Sequence, residues 1–282
     1  LQLSNAGQKN AAGAVNVSNN LINTAVLDMA GFALTVAGTI NNTGGTIRFS
    51  GPANGMAINT GTVVYYGAGQ TVAGGTYENL TINQSSGEAV LGGDVTVNGV
   101  LTLANGRLNL SGYNLMLGPA ASISVSSPSA SRMIVATGGS EVIKTYPSIG
   151  SFTFPVGDNS GTPEYAPLTV NITAASGFPG TISVSVEDFK HPNNASTTHF
   201  LSRYWNVSTS LTSVTADLTA NYPAADINGT ETSISSARLS GTFNQVSNPW
   251  VKFTALGSNT LAVTGTSLAT GVVNVFTGIR GA

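Results

Sequence analysis

VTVNGVLTLANGRLNLSGYNLML, residues 95–117, carries the pattern that decides the fold. Pairs of apolar residues, each pair separated by one position, recur there every seven residues: Leu101 and Leu103, Leu108 and Leu110, Leu115 and Leu117. Side chains two positions apart lie on the same face of a β-strand. The Asn, Gly and Ser residues between the pairs tolerate the positive φ angles of sharp turns. Short strands joined by tight corners predict a β-solenoid-like (β-helix) domain.

A second spacing gives the length of one coil. Leu80 and Ile82 repeat the pattern 21 residues before Leu101 and Leu103. This distance is typical of a solenoid turn made of about three short strands. The same alternation at residues 15–17 and 34–36 favours strands near the start of the chain. A β-sandwich of many short hairpins is the alternative that periodicity alone leaves open.

The composition excludes several classes of protein. Only 8% of the 282 residues are charged, against about 25% in an average soluble protein. The net charge is −2 and the ten basic residues are scattered, which argues against nucleic acid or an anionic membrane as partner. There is no cysteine, so disulfides and thiolate metal sites are impossible. No apolar run is long enough to predict a membrane span.

The composition of the sequence changes at SSPSAS, residues 126–131. Seven charged residues precede this segment and fifteen follow it, together with both tryptophans and both histidines. We therefore predict an all-β chain of two domains, a solenoid over 1–128 and an Ig-like or jelly-roll-type β-sandwich over 129–282. Eleven strands predicted between residues 132 and 277, separated by turn signals such as DNSG and LGSN, support the sandwich.

Several phrases resemble large surface proteins of Bacteroidetes and related bacteria. They are VVYYGAGQTVAGGTYENLTIN (63–83), VNGVLTLANGRLNLSGYNLMLG (97–118), FTFPVGDN (152–159), YAPLTVNI (165–172) and LSRYWNV (201–207). The resemblance implies export, often by the type IX route, and an adhesin-like or matrix-like role. The final residues, VVNVFTGIRGA, do not resemble the sorting domain in which such proteins often end. The chain opens with Leu1, as expected for a mature exported form or a cloned fragment.

The sequence offers only weak candidates for a catalytic site. Solenoid enzymes place acidic or basic groups on adjacent coils, and Glu78 and Arg107 could stack in this way. The charges of the first half are widely separated in sequence, so exposed charges at corners are the simpler interpretation. We predict no catalytic residues, no cofactor and a non-enzyme.

Two segments could hold a metal ion. Residues 187–191 contain two carboxylates and His191, with His199 eight positions further on, but this spacing matches no common zinc motif. Asp158, Asn159 and Glu164 offer oxygen ligands that calcium prefers, although DNSG is first a turn. We predict no metal site and keep calcium at the Asp158 turn as an open possibility.

Aromatic residues are candidates for stacking on sugars. Tyr65 and Tyr66 are adjacent and must point to opposite faces of a strand, so one is expected outside; Tyr77 is a further candidate. Trp205 alternates with apolar neighbours and is expected in the core, whereas Trp250 could be buried or exposed. A Thr-x-Thr pair at residues 60–62 is not repeated at coil spacing, which argues against ice binding.

Unprotected strand edges suggest the function. Natural monomers cover such edges with charge or a cap, and this chain has little charge. Residues 1–28, or the strand over 272–277, could add to a neighbouring subunit's sheet, and a contact that does not close gives a filament. We expect a self-associating, adhesin-like or filament- or layer-forming structural protein at the bacterial cell surface. A carbohydrate-binding module that uses Tyr65 or Trp250 is the alternative.

Overall fold

The computed structural model describes residues 1–5, 7–51 and 55–281. It divides into two compact units, Leu1–Ile134 and Val135–Ala282. The described residues are almost entirely strands and turns, with two 3₁₀ helices of three residues each. The all-β class is therefore confirmed. In the described part of the chain, no helix has the length and apolar character needed to cross a membrane.

The first unit is built from short strands, most of them two to four residues long. They are β1 (Gln2–Leu3), β2 (Gln8–Asn10), β3 (Val15–Val17), β4 (Leu21–Asn23), β5 (Val26–Asp28), β6 (Leu34–Val36), β7 (Ile40–Asn41), β8 (Thr46–Phe49), β9 (Thr62–Ala68), β10 (Thr71–Val72), β11 (Gly75–Tyr77), β12 (Asn79–Leu91), β13 (Val95–Val97), β14 (Val100–Asn109), β15 (Leu115–Leu117) and β16 (Ser122–Val125).

Parallel pairing stacks these strands into coils. β5, β8, β9, β12 and β14 pair in that order, each with the matching strand of the next coil. Leu80 pairs with Leu101 and Ile82 with Leu103, which confirms the predicted 21-residue repeat. β3 and β6 pair in the same way near the start of the chain. The result is a β-solenoid of about eight turns, as the sequence predicts.

The six leucines of the opening motif line the solenoid interior, and each is at most 1% exposed. Strand alternation turns every second side chain inward, and the in-register stack places the apolar side chains of one coil on those of the next. Each coil thus buries its apolar face against its two neighbours, which is how a solenoid forms a core without a second layer.

Polar ladders fix the corners of the coils. The Asn23 side-chain amide donates to the Asn42 Oδ1 atom at 2.7 Å, and the Asn42 amide donates to the Thr60 and Thr62 carbonyls at 3.2 Å. Gly61 has a φ of +65°, and a Cβ there would lie 2.0 Å from the Asn42 carbonyl oxygen. Only glycine fits this corner, because both the backbone angle and the contact exclude a side chain.

The second unit contains longer strands. The remaining elements of the chain are β17 (Ile134–Val135), β18 (Val142–Tyr146), β19 (Gly150–Phe154), β20 (Val156–Asp158), β21 (Glu164–Tyr165), β22 (Leu168–Ser176), β23 (Gly180–Glu187), β24 (Phe200–Leu201), β25 (Tyr204–Thr209), β26 (Thr212–Asn221), η1 (Ala224–Asp226), β27 (Ile227–Asn228), η2 (Glu231–Ser233), β28 (Ile234–Ser240), β29 (Val251–Ala255), β30 (Thr260–Leu268) and β31 (Asn274–Arg280).

Two antiparallel sheets organise this unit. β18, β23, β25, β31, β28 and β29 are neighbours in one sheet, and β19, β22, β26 and β30 form the other. The Tyr146 hydroxyl of the first sheet donates to the Val170 carbonyl of the second at 3.2 Å. Each strand predicted between residues 132 and 277 overlaps an observed strand. Trp205 is fully buried, as predicted, and its indole N–H donates to the Ala166 carbonyl at 2.9 Å.

The two terminal segments are engaged within the chain. β31 lies between β25 and β28, so both of its edges are paired. The prediction that the C-terminal strand could be donated to a neighbour is therefore wrong, because donation would break the backbone hydrogen bonds on both sides of an interior strand. β1, β2 and β3 pair in parallel with β4, β5 and β6, and exchange of this N-terminal segment stays a prediction.

Candidate functional site

Arg203 occupies an inward position between β24 and β25. Leu201, Arg203, Trp205 and Val207 alternate along the chain, and all four are fully buried. A buried charge is costly unless it is paired and hydrogen-bonded. An arginine in this register therefore requires carboxylate partners from neighbouring elements.

Four carboxylates surround the Arg203 guanidinium, and together they form the Arg203 cluster. Its Nη1 atom lies 2.6 Å from Asp158 Oδ2, and its Nε atom lies 2.5 Å from Asp226 Oδ2. Its Nη2 atom donates to Asp188 Oδ1 at 3.0 Å and also to Glu164. Asp158 on β20 and Glu164 on β21 are brought together by antiparallel pairing of those strands.

The cluster carries more acid than base. One guanidinium faces four carboxylates, so the fully ionised cluster would have a charge of 1 − 4 = −3. Burial raises the pKa of Glu164, Asp188 and Asp226, and neighbouring carboxylates add to the rise, while Arg203 opposes it. These three carboxyls therefore take up protons more readily than free ones, and each proton reduces the repulsion that a single arginine cannot offset.

A Glu164→Gln variant tests this charge excess. Because the folded-state pKa of Glu164 is raised above its unfolded value of 4.5, the folded protein takes up the proton first as the pH falls. The resulting stabilisation is fully present below about pH 4.5 and is lost as the pH rises through the folded-state pKa. We expect the free energy of unfolding of wild type to rise relative to that of Glu164→Gln as the pH falls from 7 to 4.5. Urea titrations followed by tryptophan fluorescence measure it, and a difference independent of pH would contradict the expectation.

The sequence-predicted metal candidates separate into two groups. Asp158 and Glu164 do converge, and with Asp188 their oxygens lie within 4.8 Å of one another, but they converge on Arg203. His191 and His199 do not join them: the Nδ1 atom of His191 accepts the Asn193 N–H, and that of His199 accepts the Thr230 N–H. The cluster is thus a buried ion network whose positive charge comes from the chain itself.

A second candidate is a cleft built around Trp250, which we call the Trp250 cleft. The indole N–H of Trp250 donates to the Asn193 carbonyl at 3.0 Å, and its ring meets the His191 ring edge-on at 5.2 Å. Trp250 and Phe243 pack against the buried cluster of Tyr204, Leu239 and Val275. Burial lowers the pKa of His191, which favours the neutral ring that accepts the Asn193 N–H. Packing on one side and hydrogen bonds on the other hold the tryptophan in place.

The Trp250 cleft has a volume of about 460 Å³. Apolar surface comes from Phe243, Pro249, Trp250 and Ile279, and two cations, Lys252 and Arg280, also line it. Among the described residues that line the cleft there is no Asp or Glu. This combination of aromatic surface and positive charge makes the cleft a candidate for binding a small ligand.

The tyrosines of the solenoid do not offer a stacking platform of the predicted kind. Tyr65 is fully buried, and its hydroxyl lies 2.9 Å from that of Tyr77, also buried. The sequence left open which of Tyr65 and Tyr66 points outward. Tyr65 takes the inward register of β9, so it cannot be the stacking platform of the carbohydrate-binding alternative. Tyr66 takes the outward register, but its hydroxyl donates to Asp28 at 2.6 Å and the Arg48 guanidinium covers its ring at 4.4 Å.

The charged pair considered on the solenoid is also different from the predicted one. The strand register places Glu88, not Glu78, directly opposite Arg107 on the next coil. Arg107 Nη2 lies 3.1 Å from Glu88 Oε1, and the Asn109 amide donates to the other oxygen of Glu88 at 2.7 Å. These contacts link neighbouring coils and satisfy the groups that a catalytic role would need free.

Sequence reasoning missed Arg203, Asp226, Lys252 and Arg280. For Arg203 a signal was present, because it shares the alternation of Leu201, Trp205 and Val207 that predicted a buried tryptophan. For Lys252 and Arg280 no sequence signal exists, since 28 residues separate them. No protein-family profile, curated protein or solved structure matches the chain.

Proposed function

We propose that this chain is a non-catalytic structural protein of the bacterial cell exterior. It acts as an adhesin-like module or as a self-assembling subunit of an extracellular filament or surface layer. Subunits join by addition of a strand to an open sheet edge, which supplies a ladder of backbone hydrogen bonds. The low charge content and the all-β architecture support this proposal, because few charged side chains are present to protect sheet edges from association.

The observation that carries the proposal is the edge formed by β19. In the described residues β19 pairs only with β22, and its sequence, GSFTF, has no charged residue. Ile149, just before it, is 57% exposed. An uncharged edge next to an exposed apolar residue is a template for another strand.

The opposite edge of the same sheet is better protected. Ser236 Oγ donates to the Ala262 carbonyl of β30 at 3.0 Å, and Thr254 Oγ1 also reaches that oxygen. The Arg238 guanidinium contacts the Ser267 carbonyl and hydroxyl. Side chains of β28 and β29 thus cover backbone acceptors of β30, which leaves β19 as the more open edge.

A lysine on β19 tests this contact. Ser151 is exposed on the outer face of the sheet, and Ser151→Lys places a charge on the edge without entering the core. We expect self-association to weaken at least about tenfold, because a charged edge disfavours strand addition. Sedimentation velocity over a concentration series measures it.

Thr219→Lys is the matched control. Thr219 is also exposed on the same sheet, but it lies on the interior strand β26, between β22 and β30. The control adds the same charge away from the edge and should assemble like wild type. Equal loss of assembly in both variants would indicate a general charge effect, and no loss in either would remove β19 from the contact.

Binding of a carbohydrate is a second candidate function, and the Trp250 cleft is the observation that favours it. An aromatic ring held by packing presents a rigid surface to the apolar face of a sugar ring, at a low cost in conformational entropy. Phe243 and Pro249 extend this surface, and the side chains of Asn193 and Gln245 bring amides to the rim. The chain would then be a carbohydrate-binding module of a larger secreted protein, or an adhesin that recognises a glycan.

A further inference from the structure

We propose that the Trp250 cleft selects anionic saccharides, whose acidic group is bound by Lys252 and Arg280. This inference deepens the second candidate function and rests on it. It assigns the charge class of the ligand, which aromatic stacking alone leaves open.

The local charge of the Trp250 cleft favours an anionic ligand. The chain has only ten basic residues in 282 and a net charge of −2. Two of those ten line this one cleft, and no acidic side chain lies among its described lining residues. A site with two positive charges and no negative one, in a protein of slightly negative charge, attracts an anion to that place.

The side chains of Lys252 and Arg280 are accessible to a ligand. Three of the other eight basic side chains form ion pairs within the chain: Arg48 with Asp28, Arg107 with Glu88 and Arg203 with its cluster. In the described residues, no carboxylate lies within ion-pair distance of Lys252 or Arg280. Among the described residues, the Lys252 ammonium donates to the Gly281 carbonyl at 3.4 Å. Both cations are exposed and remain able to bind an external acid.

Arg280 is held in place at the wall of the cleft. Its backbone N–H donates to the Ser196 hydroxyl at 3.1 Å, and the Asn194 amide, which is buried, donates to the nearby Gly278 carbonyl at 3.3 Å. These contacts fix the end of β31 against the loop that forms one wall of the cleft. The planar guanidinium of an arginine binds a carboxylate or a sulfate through two parallel hydrogen bonds.

Together these groups describe one binding mode. The sugar ring lies on the Trp250 and Phe243 surface, and its acidic substituent points to Lys252 and Arg280. A volume of about 460 Å³ is within the usual range for a small-ligand site. A hexuronate or a sulfated hexose in a polysaccharide presents both features, an apolar ring face and an acid on its edge.

The test compares polysaccharides that differ only in charge. Polygalacturonate is titrated against its methyl-esterified form, and dextran sulfate against dextran, with the intact chain in a calorimeter at low and at physiological salt. We expect at least one acidic form to bind at least about tenfold tighter than its neutral counterpart. Salt should weaken that binding, since the interacting charges are exposed. The pair that shows the preference distinguishes a carboxylate from a sulfate ligand.

Variants locate the binding. Lys252→Gln and Arg280→Gln change exposed side chains, and each is expected to reduce acidic binding about tenfold. Trp250→Ala should reduce binding of both forms. Lys9→Gln, which removes one positive charge from the solenoid unit, is the matched control and should bind like wild type.

The outcomes separate this inference from the function on which it rests. Equal binding of acidic and neutral forms, lost in Trp250→Ala, would overturn the charge preference and leave carbohydrate binding at the cleft standing. Binding of neither form would overturn both. Acidic binding that Lys9→Gln weakens as much as Arg280→Gln would show a non-specific charge effect and would also overturn the inference.

Discussion

Arg203→Met is expected to lower the free energy of unfolding of the second unit by about 3–5 kcal/mol, the usual result of removing one partner from a buried ion pair. Arg203 is fully buried, and Asp158 and Asp226 beside it are also buried. Without the guanidinium these carboxylates must either remain charged in a poorly solvated place or take up protons. Both outcomes cost free energy at neutral pH.

Chemical denaturation followed by tryptophan fluorescence is the measurement for Arg203→Met. Both tryptophans, Trp205 and Trp250, lie in the second unit, so the signal reports on that unit. Glu164→Gln is the control, because its side chain keeps an acceptor oxygen and loses one of the surplus charges. It should change stability by less than about 1 kcal/mol, as expected for a partly exposed member of an ion pair. A loss of less than about 1 kcal/mol in Arg203→Met would contradict the account of the cluster.

Leu101→Ala is expected to destabilise the solenoid by about 2–5 kcal/mol, the range seen when a large apolar side chain is removed from a core. Leu101 is fully buried on β14, and the register places it between Leu80 on the preceding coil and Ile123 on the following strand. A coil touches only its neighbours, so no other part of the unit can fill the space.

Hydrogen exchange of peptides from β12 to β16 measures this change, because the solenoid contains no tryptophan. Backbone amides on either side of Leu101 should exchange faster in the variant. Ser124→Ala, an exposed position on β16, is the control and should leave exchange unchanged. If the amides of Leu101→Ala were as protected from exchange as those of wild type, the stacking of apolar side chains around Leu101 would not be what holds the coils together.

The solenoid could be predicted because the residues that specify each coil lie close together in the sequence. An apolar pair two positions apart, a corner residue and a recurrence of the pair on the next coil describe the solenoid without knowledge of any distant contact. Leu80 and Leu101 stand 21 residues apart in the sequence, and in the structure they are partners in adjacent strands. The register of β9 also determines which way Tyr65 points, which the sequence left open. Val63, two positions earlier on the same strand, is buried, and Tyr65 lies on the same face.

The candidate sites could be predicted only in part, because they depend on contacts between distant segments. Asp158 and Glu164 stood out as acidic residues near a turn, but Arg203 lies 45 residues after Asp158, and Asp226 a further 23. The alternation of residues 201–207 contained the missing information, since an arginine on the inward face must be paired. Trp250 was a candidate from its residue type alone. Its cleft is completed by Arg280 from β31 and by the loop at Asn194, which no local pattern connects.

The open edge of β19 could likewise not be predicted from the sequence. The sequence indicated unprotected edges in general and pointed to the two ends of the chain as the segments that add to a neighbour. The structure instead pairs the C-terminal strand on both sides and leaves an internal strand, β19, with one partner among the described residues. Sheet order decides which strand is an edge, and sheet order is a property of the whole unit.

Electron microscopy of the native, unheated protein from the cell exterior tests the central claim most directly. We expect regular filaments or layers with a repeat of one subunit, and recombinant Ser151→Lys protein should fail to form the assemblies that Thr219→Lys forms. Single compact particles at every concentration, for the native protein and both variants alike, would contradict a self-assembling structural role.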